Sequence, residues 1–99
     1  MNININSIFL LSGKVIVITG AAGFLGEKHA EAVAAYGGTP VLLDLSQTAV
    51  DALAEKLNKK YKTNALGFSV DITNESKVEK VSNKVFKRFG KIDGLVNNA

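Results

Sequence analysis

Apolar and polar positions alternate along this chain between short unbroken runs and longer stripes of helical period. Val15-Ile16-Val17-Ile18 is a β-branched run with no polar alternation, the pattern of a strand buried on both faces of a parallel sheet. Residues 25–36 are rich in alanine, with Leu25, His29 and Val33 four apart and Ala30 beside them; this predicts a helix stopped by Gly37-Gly38. Pro40 to Leu45 predicts a second strand, its proline at the start, where a missing amide hydrogen is tolerable. Ser46 is placed to cap a helix whose Val50, Leu53, Ala54 and Leu57 form one stripe. Ala65 to Val70 predicts a third strand, interrupted by Gly67. Thr73 or Asn74 then caps a helix carrying Val78, Val81, Val85, Phe86 and Phe89 to Gly90, and Leu95-Val96-Asn97 begins a fourth strand.

Strand and helix alternate without internal repeats, which predicts βαβ units: an α/β, Rossmann-like, doubly wound parallel sheet with the expected strand order 3-2-1-4. The polar opening, residues 1–10, is expected to be an arm, and residues 11–99 a partial dinucleotide-binding domain.

The junction of the first strand and helix carries Gly20, Gly23 and Gly26 at intervals of three. A tight turn there brings unpaired helical N–H groups, and the positive end of the helix dipole, to the carboxyl edge of the sheet. Gly20 would allow the sharp turn, Gly23 the close approach of a pyrophosphate, and Gly26 the packing of helix on strand. Alternatively the glycines only shape a turn. Asp44, 18 residues beyond Gly26 and at the end of the second strand, is placed to accept hydrogen bonds from a ribose diol. It could instead serve the dipole of the helix that follows Ser46. The same carboxylate would repel a 2′-phosphate, and no lysine or arginine in residues 21–24 or beside Asp44 offsets it, so the expected cofactor is NAD rather than NADP. A triphosphate-binding loop is excluded, because counting from Gly20 it needs glycine at Leu25 and lysine at Gly26.

With 99 residues, 46% of them hydrophobic and 21% charged, the chain has material for one small core. Its net charge of +3 comes from lysines interspersed with glutamates and asparagines, the pattern of solvated helix faces, so no nucleic-acid or membrane partner is expected. The absence of cysteine removes disulfides and thiolate metal sites, and a single histidine, His29, gives no imidazole cluster; no metal is expected. The apolar run at residues 8–11 is too short for a signal or spanning segment, and the expected location is cytoplasmic. His29 itself is expected to pack or lie at the surface, and Phe86 and Phe89 to be core residues.

From about Phe9 to Ala99 the chain resembles the short-chain dehydrogenases/reductases. The residues that carry this are Leu11-Ser12-Gly13-Lys14-Val15, Thr19-Gly20-x-x-Gly23-x-x-Gly26, Asp44, Val70-Asp71-Ile72-Thr73 and Asn97-Asn98-Ala99. The resemblance implies that residues from Ala22 through Gly23 and Phe24 to Leu25 lie along the pyrophosphate. It implies further that Asp44 holds the adenosine ribose, with the adjacent Leu45 also at the cofactor, that Asp71-Ile72 flank the adenine, and that Asn98-Ala99 line the cofactor's sugar side. Asn97 is expected to tie neighbouring strands. For Asp71 a turn or capping role with Thr73 stays open, and for Asn97-Asn98 a polar strand ending. The classical branch spaces its glycines T-G-x-x-x-G-x-G, which would put glycine where Phe24 stands; the spacing here is similar to the extended branch of nucleotide-sugar epimerases and dehydratases, whereas Val96-Asn97-Asn98-Ala99 looks classical.

The resemblance implies hydride transfer between nicotinamide and a hydroxyl or carbonyl of a small molecule, in an enzyme expected to be a homo-oligomer at full length. The serine and the Tyr-x-x-x-Lys pair that the family uses for proton transfer come after its fourth strand. Tyr36, expected at the end of the first helix, and Tyr61, expected to follow the second, have no lysine four residues on, so no catalytic residue is assigned. The chain is therefore expected to be the amino-terminal fragment of such an oxidoreductase, with a nucleotide-sugar enzyme or a non-catalytic dinucleotide-binding module as alternatives. With residues 74–89 alone on one sheet face, the strands at 15–18 and 41–45 are expected to leave apolar surface uncovered, and the fourth strand to be an unpaired edge.

Overall fold

The computed structural model describes residues 10–98. Apart from Leu10, the expected arm lies outside them, as does Ala99. Seven elements alternate: β1 (Val15–Thr19), α1 (Phe24–Ala35), β2 (Thr39–Asp44), α2 (Gln47–Tyr61), β3 (Leu66–Ser69), α3 (Glu75–Phe89) and β4 (Gly94–Val96). All strand pairs are parallel and the sheet order is β3-β2-β1-β4. The doubly wound expectation holds, order included.

The side-chain period of two divides β1 between two cores. Ile16 and Ile18 face one side, where Ile18 and Leu42 pack with Ala30, Val33 and Ala34 of α1 and Val50, Leu53 and Leu57 of α2. Val15 and Val17 face the other, where Val41, Leu43 and Val70 pack with Val85 of α3 and, at its margins, Val78, Val81 and Phe89. Two helices thus cover one face and one helix the other, as right-handed crossovers require when the chain reverses its direction across the sheet after β3. β4 stays open on the α3 side, where Leu95, in register with Val17, is 63% exposed. β4 is the edge strand expected, but the strands at 15–18 and 41–45 are not left uncovered: Val15, Val17, Val41 and Leu43 are buried beneath α3 and Val70, so the exposed apolar surface falls on β4 instead.

Local chemistry explains the element ends. The Ser46 hydroxyl accepts the Ala49 N–H at 3.2 Å and caps α2. Of the two candidate caps for α3 it is Asn74 that serves, accepting the Lys77 N–H at 3.1 Å. Thr39 N–H donates to Lys14 on the β1 side, so Pro40 turns its absent donor toward β3, whose pairing begins only at Val41.

Three other expectations are corrected. The packed stripe of α1 is Gly26, Ala30, Val33 and Ala34, while Leu25 is 60% exposed; His29 takes the surface position, one of the two expected for it. Small residues face the sheet because the helix sits close upon it, and large ones therefore turn outward. Phe86 is not core: the inner stripe of α3 runs Val78, Val81, Val85, Phe89, and Phe86 is displaced from it and half exposed. Tyr61 does not follow α2 but is its last residue, its hydroxyl donating to Glu31 at 2.9 Å.

Candidate functional site

Four parallel strands send their carboxyl ends to one edge of the sheet, so the loops after β1, β2 and β3 and the residues after β4 meet there. This brings Gly20 to Gly26, Asp44-Leu45, Asp71-Ile72 and Asn98 together. Ala99 lies outside the described residues.

The three glycines have distinct structural duties. Gly20 adopts φ +62°, the left-handed conformation that turns the chain out of β1 at little cost only without a Cβ. A Cβ on Gly26 would stand 2.0 Å from the Gly20 carbonyl oxygen and 2.7 Å from Ala21 Cα, so α1 can approach β1 only with hydrogen there. Gly23 differs: a Cβ would meet only the Gly20 oxygen, at an ordinary 3.4 Å. The protein's own packing does not demand glycine at 23.

The backbone donors of this loop divide in the same way. Ala21 N–H donates to the Leu43 carbonyl at 3.1 Å, Ala22 N–H to Asp44 Oδ2 at 2.9 Å, and Gly23 N–H to the Gly20 carbonyl at 3.1 Å. Glu27 N–H donates to the Gly23 carbonyl, beginning the regular helical ladder. Between them, the N–H groups of Phe24, Leu25 and Gly26 have no partner among the described residues. Three free donors at the positive end of a 12-residue helix suit an anion. Of the residues expected along the pyrophosphate, Ala22 has its amide committed to Asp44, while Phe24 and Leu25 offer free amides and side chains 78% and 60% exposed.

Asp44 closes β2 half-buried, and besides Ala22 it accepts the Leu45 N–H on Oδ1 at 2.7 Å. A groove of about 280 Å³ opens beside it, lined by Gly20, Asp44, Leu45, Val70, Asp71 and Ile72. Asp71 does not point its carboxylate freely into that groove. Its Oδ1 accepts the Thr73 hydroxyl at 2.6 Å and the Thr73 N–H at 3.0 Å, and these bonds, the hydroxyl foremost, hold the carboxyl below the usual carboxylate range. The turn role that stayed open for Asp71 is thus what its side chain performs. Ile72, 41% exposed, forms part of the groove wall.

On the other side of β1, buried Thr19 links the end of that strand to the end of β4. Its hydroxyl accepts the Asn98 N–H at 2.9 Å and lies 3.1 Å from Asn97 Oδ1, to which it donates. Asn97 therefore ties strands, as expected. Thr19 and Asn97, with Ser82 of α3, are the polar residues lining a mostly apolar cavity of about 350 Å³ between α3 and β4. The sequence reading missed Thr19 as a hub, although a lone hydroxyl closing an all-apolar strand was the available signal. It also missed Asp93, whose Oδ2 accepts the Val15 N–H at 2.8 Å and fixes the start of β1.

Among the described residues no group of three or more histidines, cysteines or carboxylates could hold a metal, and no helix is long and apolar enough to cross a membrane.

The family model described as short chain dehydrogenase matches residues 14–99. Meso-2,3-butanediol dehydrogenase of Serratia marcescens is 41% identical over 86 residues, which cover 87% of this chain and 33% of that protein. The L-sorbose reductase of Gluconobacter frateurii, solved with NADPH and L-sorbose, superposes with a TM-score of 0.87 at 35% identity, covering 92% of this chain and 35% of that one. A xylitol dehydrogenase solved with NAD+ superposes with a TM-score of 0.85 at 34% identity, covering 90% and 34%. The chain spans about a third of the length of the relatives it matches.

Proposed function

The chain belongs to the short-chain dehydrogenase family, and we propose that it forms the amino-terminal, cofactor-binding part of an NAD-dependent oxidoreductase acting on a hydroxyl or carbonyl of a small molecule. In this reading residues 11–99 are the first part of a larger doubly wound domain. The observation that carries it is the pairing, at one sheet edge, of three free amides at Phe24, Leu25 and Gly26 with the carboxylate of Asp44.

The residues present fit the dinucleotide. The free amides would meet the pyrophosphate across Gly23, whose missing side chain leaves the approach open. Asp44 would accept the adenosine ribose hydroxyls with Leu45 beside it, Asp71 and Ile72 would border the adenine, and Asn98 would line the cofactor's sugar side. A carboxylate with no lysine or arginine beside it in residues 21–24 or at Leu45-Ser46 favours NAD, since a 2′-phosphate would meet uncompensated like charge. The nicotinamide would supply or accept the hydride; this chain would bind and orient it, and none of its residues is assigned the proton transfer. The names of the similar proteins, a butanediol dehydrogenase, a sorbose reductase and a xylitol dehydrogenase, make small polyols and their ketones the first substrates to try.

The test is calorimetric titration of the full-length protein with NAD and NADP, followed by NAD reduction assays on a panel of vicinal diols and pentitols. NAD should bind at least about tenfold tighter, a difference of about 1.4 kcal/mol. Equal or inverted affinities would overturn the cofactor assignment, and tight NAD binding without turnover of any alcohol would favour the non-catalytic module.

A further inference from the structure

The strongest unexplained feature of the site is that Asp44 reaches back 22 residues to hold the Ala22 N–H at 2.9 Å. Asp71, at the same edge, bonds only within its own turn. Ala22 is the middle of the chain between the left-handed Gly20 and Gly23, the N-cap of α1. Its neighbours are anchored by backbone alone, Ala21 to Leu43 and Gly23 to Gly20. The Ala22 amide is the one position in residues 21–23 held by a side chain.

We infer that Asp44 is a positioning residue for the glycine loop as well as a ribose acceptor, so that one carboxylate sets both the pyrophosphate platform and the ribose contact. This rests on the dinucleotide-binding reading given above. Acceptor capacity allows both duties. A carboxylate has about four lone-pair sites, and the Ala22 and Leu45 N–H groups occupy one on each oxygen. About two remain, one per oxygen, which matches the two hydroxyls of a ribose diol. Fixing Ala22 in turn fixes the peptide that leads into Gly23, and with it the direction in which the amides of Phe24, Leu25 and Gly26 present themselves. Preorganised donors bind an anion without first being ordered, which is where affinity is gained.

The two duties separate with an NAD analogue whose adenosine carries a 2′,3′-dideoxyribose. It offers the pyrophosphate to the loop and no hydroxyl to Asp44. The full-length protein should bind this analogue more weakly than NAD. Asp44→Ala should weaken the analogue about a further tenfold, as expected for losing a hydrogen bond to a charged group. Asp44→Asn keeps one acceptor oxygen, which can take the Ala22 N–H while the Leu45 contact within the same turn is given up; it should stay within about threefold of the parent for the analogue, while losing much of its affinity for NAD. An Asp44→Ala variant that binds the analogue as tightly as the parent overturns the positioning role. A parent that binds NAD and the analogue equally overturns the ribose contact instead, and leaves the loop prediction standing or falling on Asp44→Ala alone. Hydrogen exchange gives a second readout that a general loss of stability would not reproduce. In the cofactor-free protein the Ala22 amide should be protected, and it should lose protection in Asp44→Ala but not in Asp44→Asn, with the β1 and β2 amides unchanged. An Ala22 amide that exchanges freely in the parent overturns the inference even if Asp44→Ala fails to fold.

Discussion

The Thr19 hydroxyl accepts the Asn98 N–H at 2.9 Å across 79 residues, joining the carboxyl ends of β1 and β4 where the cofactor's sugar side is proposed to lie. Thr19 is 7% exposed, and the same hydroxyl donates to Asn97 Oδ1, so it serves as donor and acceptor at once. Parallel strands with separate crossovers have only their ladder bonds to hold their ends level. This hydroxyl adds a cross-tie at the level where ligand contacts must be placed.

Thr19→Val preserves shape and removes both bonds. It should destabilise the protein by about 1–3 kcal/mol, the cost of leaving buried polar groups unpaired. Thr19→Ser keeps the hydroxyl and should cost less. Urea unfolding of both variants checks the ordering, and Thr19→Val as stable as Thr19→Ser would remove the tie from the account.

Gly23 and Gly26 look equivalent in the sequence, but their surroundings predict opposite phenotypes. Gly26→Ala forces a methyl against the Gly20 oxygen and Ala21 Cα, both backbone, so α1 must move off β1. Overpacking of this kind costs about 1–3 kcal/mol or more, and the melting temperature should fall. Gly23→Ala meets only an ordinary contact at φ −75°, so stability should stay within about 1 kcal/mol. Its methyl would nevertheless stand where the pyrophosphate is proposed to approach, and NAD affinity should fall about tenfold or more. Melting and titration of the two variants side by side check this, and Gly23→Ala with unaltered NAD affinity would sink the close-approach reading.

Much of this was legible in the sequence for definable reasons. β1 and β2 are covered on both faces, so their apolar runs are continuous and stand out from any flanking pattern. Ser46 and Gly90 marked the ends of helices because caps are local chemistry. α1 was harder to read. Beside Val33 its inner face is built from Gly26, Ala30 and Ala34, which differ little in hydrophobicity from the alanines around them, so Leu25 falsely suggested the packed stripe. Phe86 misled in the same way, since aromatic character does not reveal on which flank of α3 it falls. The bonds from Asp44 to Ala22 and from Thr19 to Asn98 depend on which strands become neighbours, and no local pattern encodes that.

Asp93 makes the stability of the β1–β4 side depend on pH. Its carboxylate accepts the Val15 N–H and pairs with Lys91 at 3.2 Å; these, the Val15 bond first, hold it below the usual carboxylate range. A carboxyl whose folded value lies below its unfolded one contributes stability fully above the unfolded value, near 4, and loses it as pH falls through the folded value. Asp93→Asn should therefore melt below the parent at pH 7, and the gap should close progressively below about pH 4. A gap of constant size from pH 7 to pH 2.5 would show that the charge of Asp93 is not what matters.

Gly67 gives the last test, because the residue that weakened the strand pattern of β3 is the one that lets α2 dock. A Cβ there would lie 2.7 Å from both Val50 Cβ and Cγ2 and 2.8 Å from Val50 C. Val50 is fully buried in the core between α2 and the sheet. Gly67→Ala on its own should raise strand propensity, yet the clash with Val50 should dominate and destabilise by about 1–3 kcal/mol. Shortening Val50 to alanine removes the Cγ2 contact, but it leaves the Cβ and backbone contacts and costs about 1 kcal/mol or more through the cavity it opens. The double variant should therefore recover part of the loss, with a coupling of about 0.5–2 kcal/mol in a double-mutant cycle by urea unfolding. Strict additivity would mean that α2 does not seat Val50 over Gly67, and that glycine at this position answers to the strand alone.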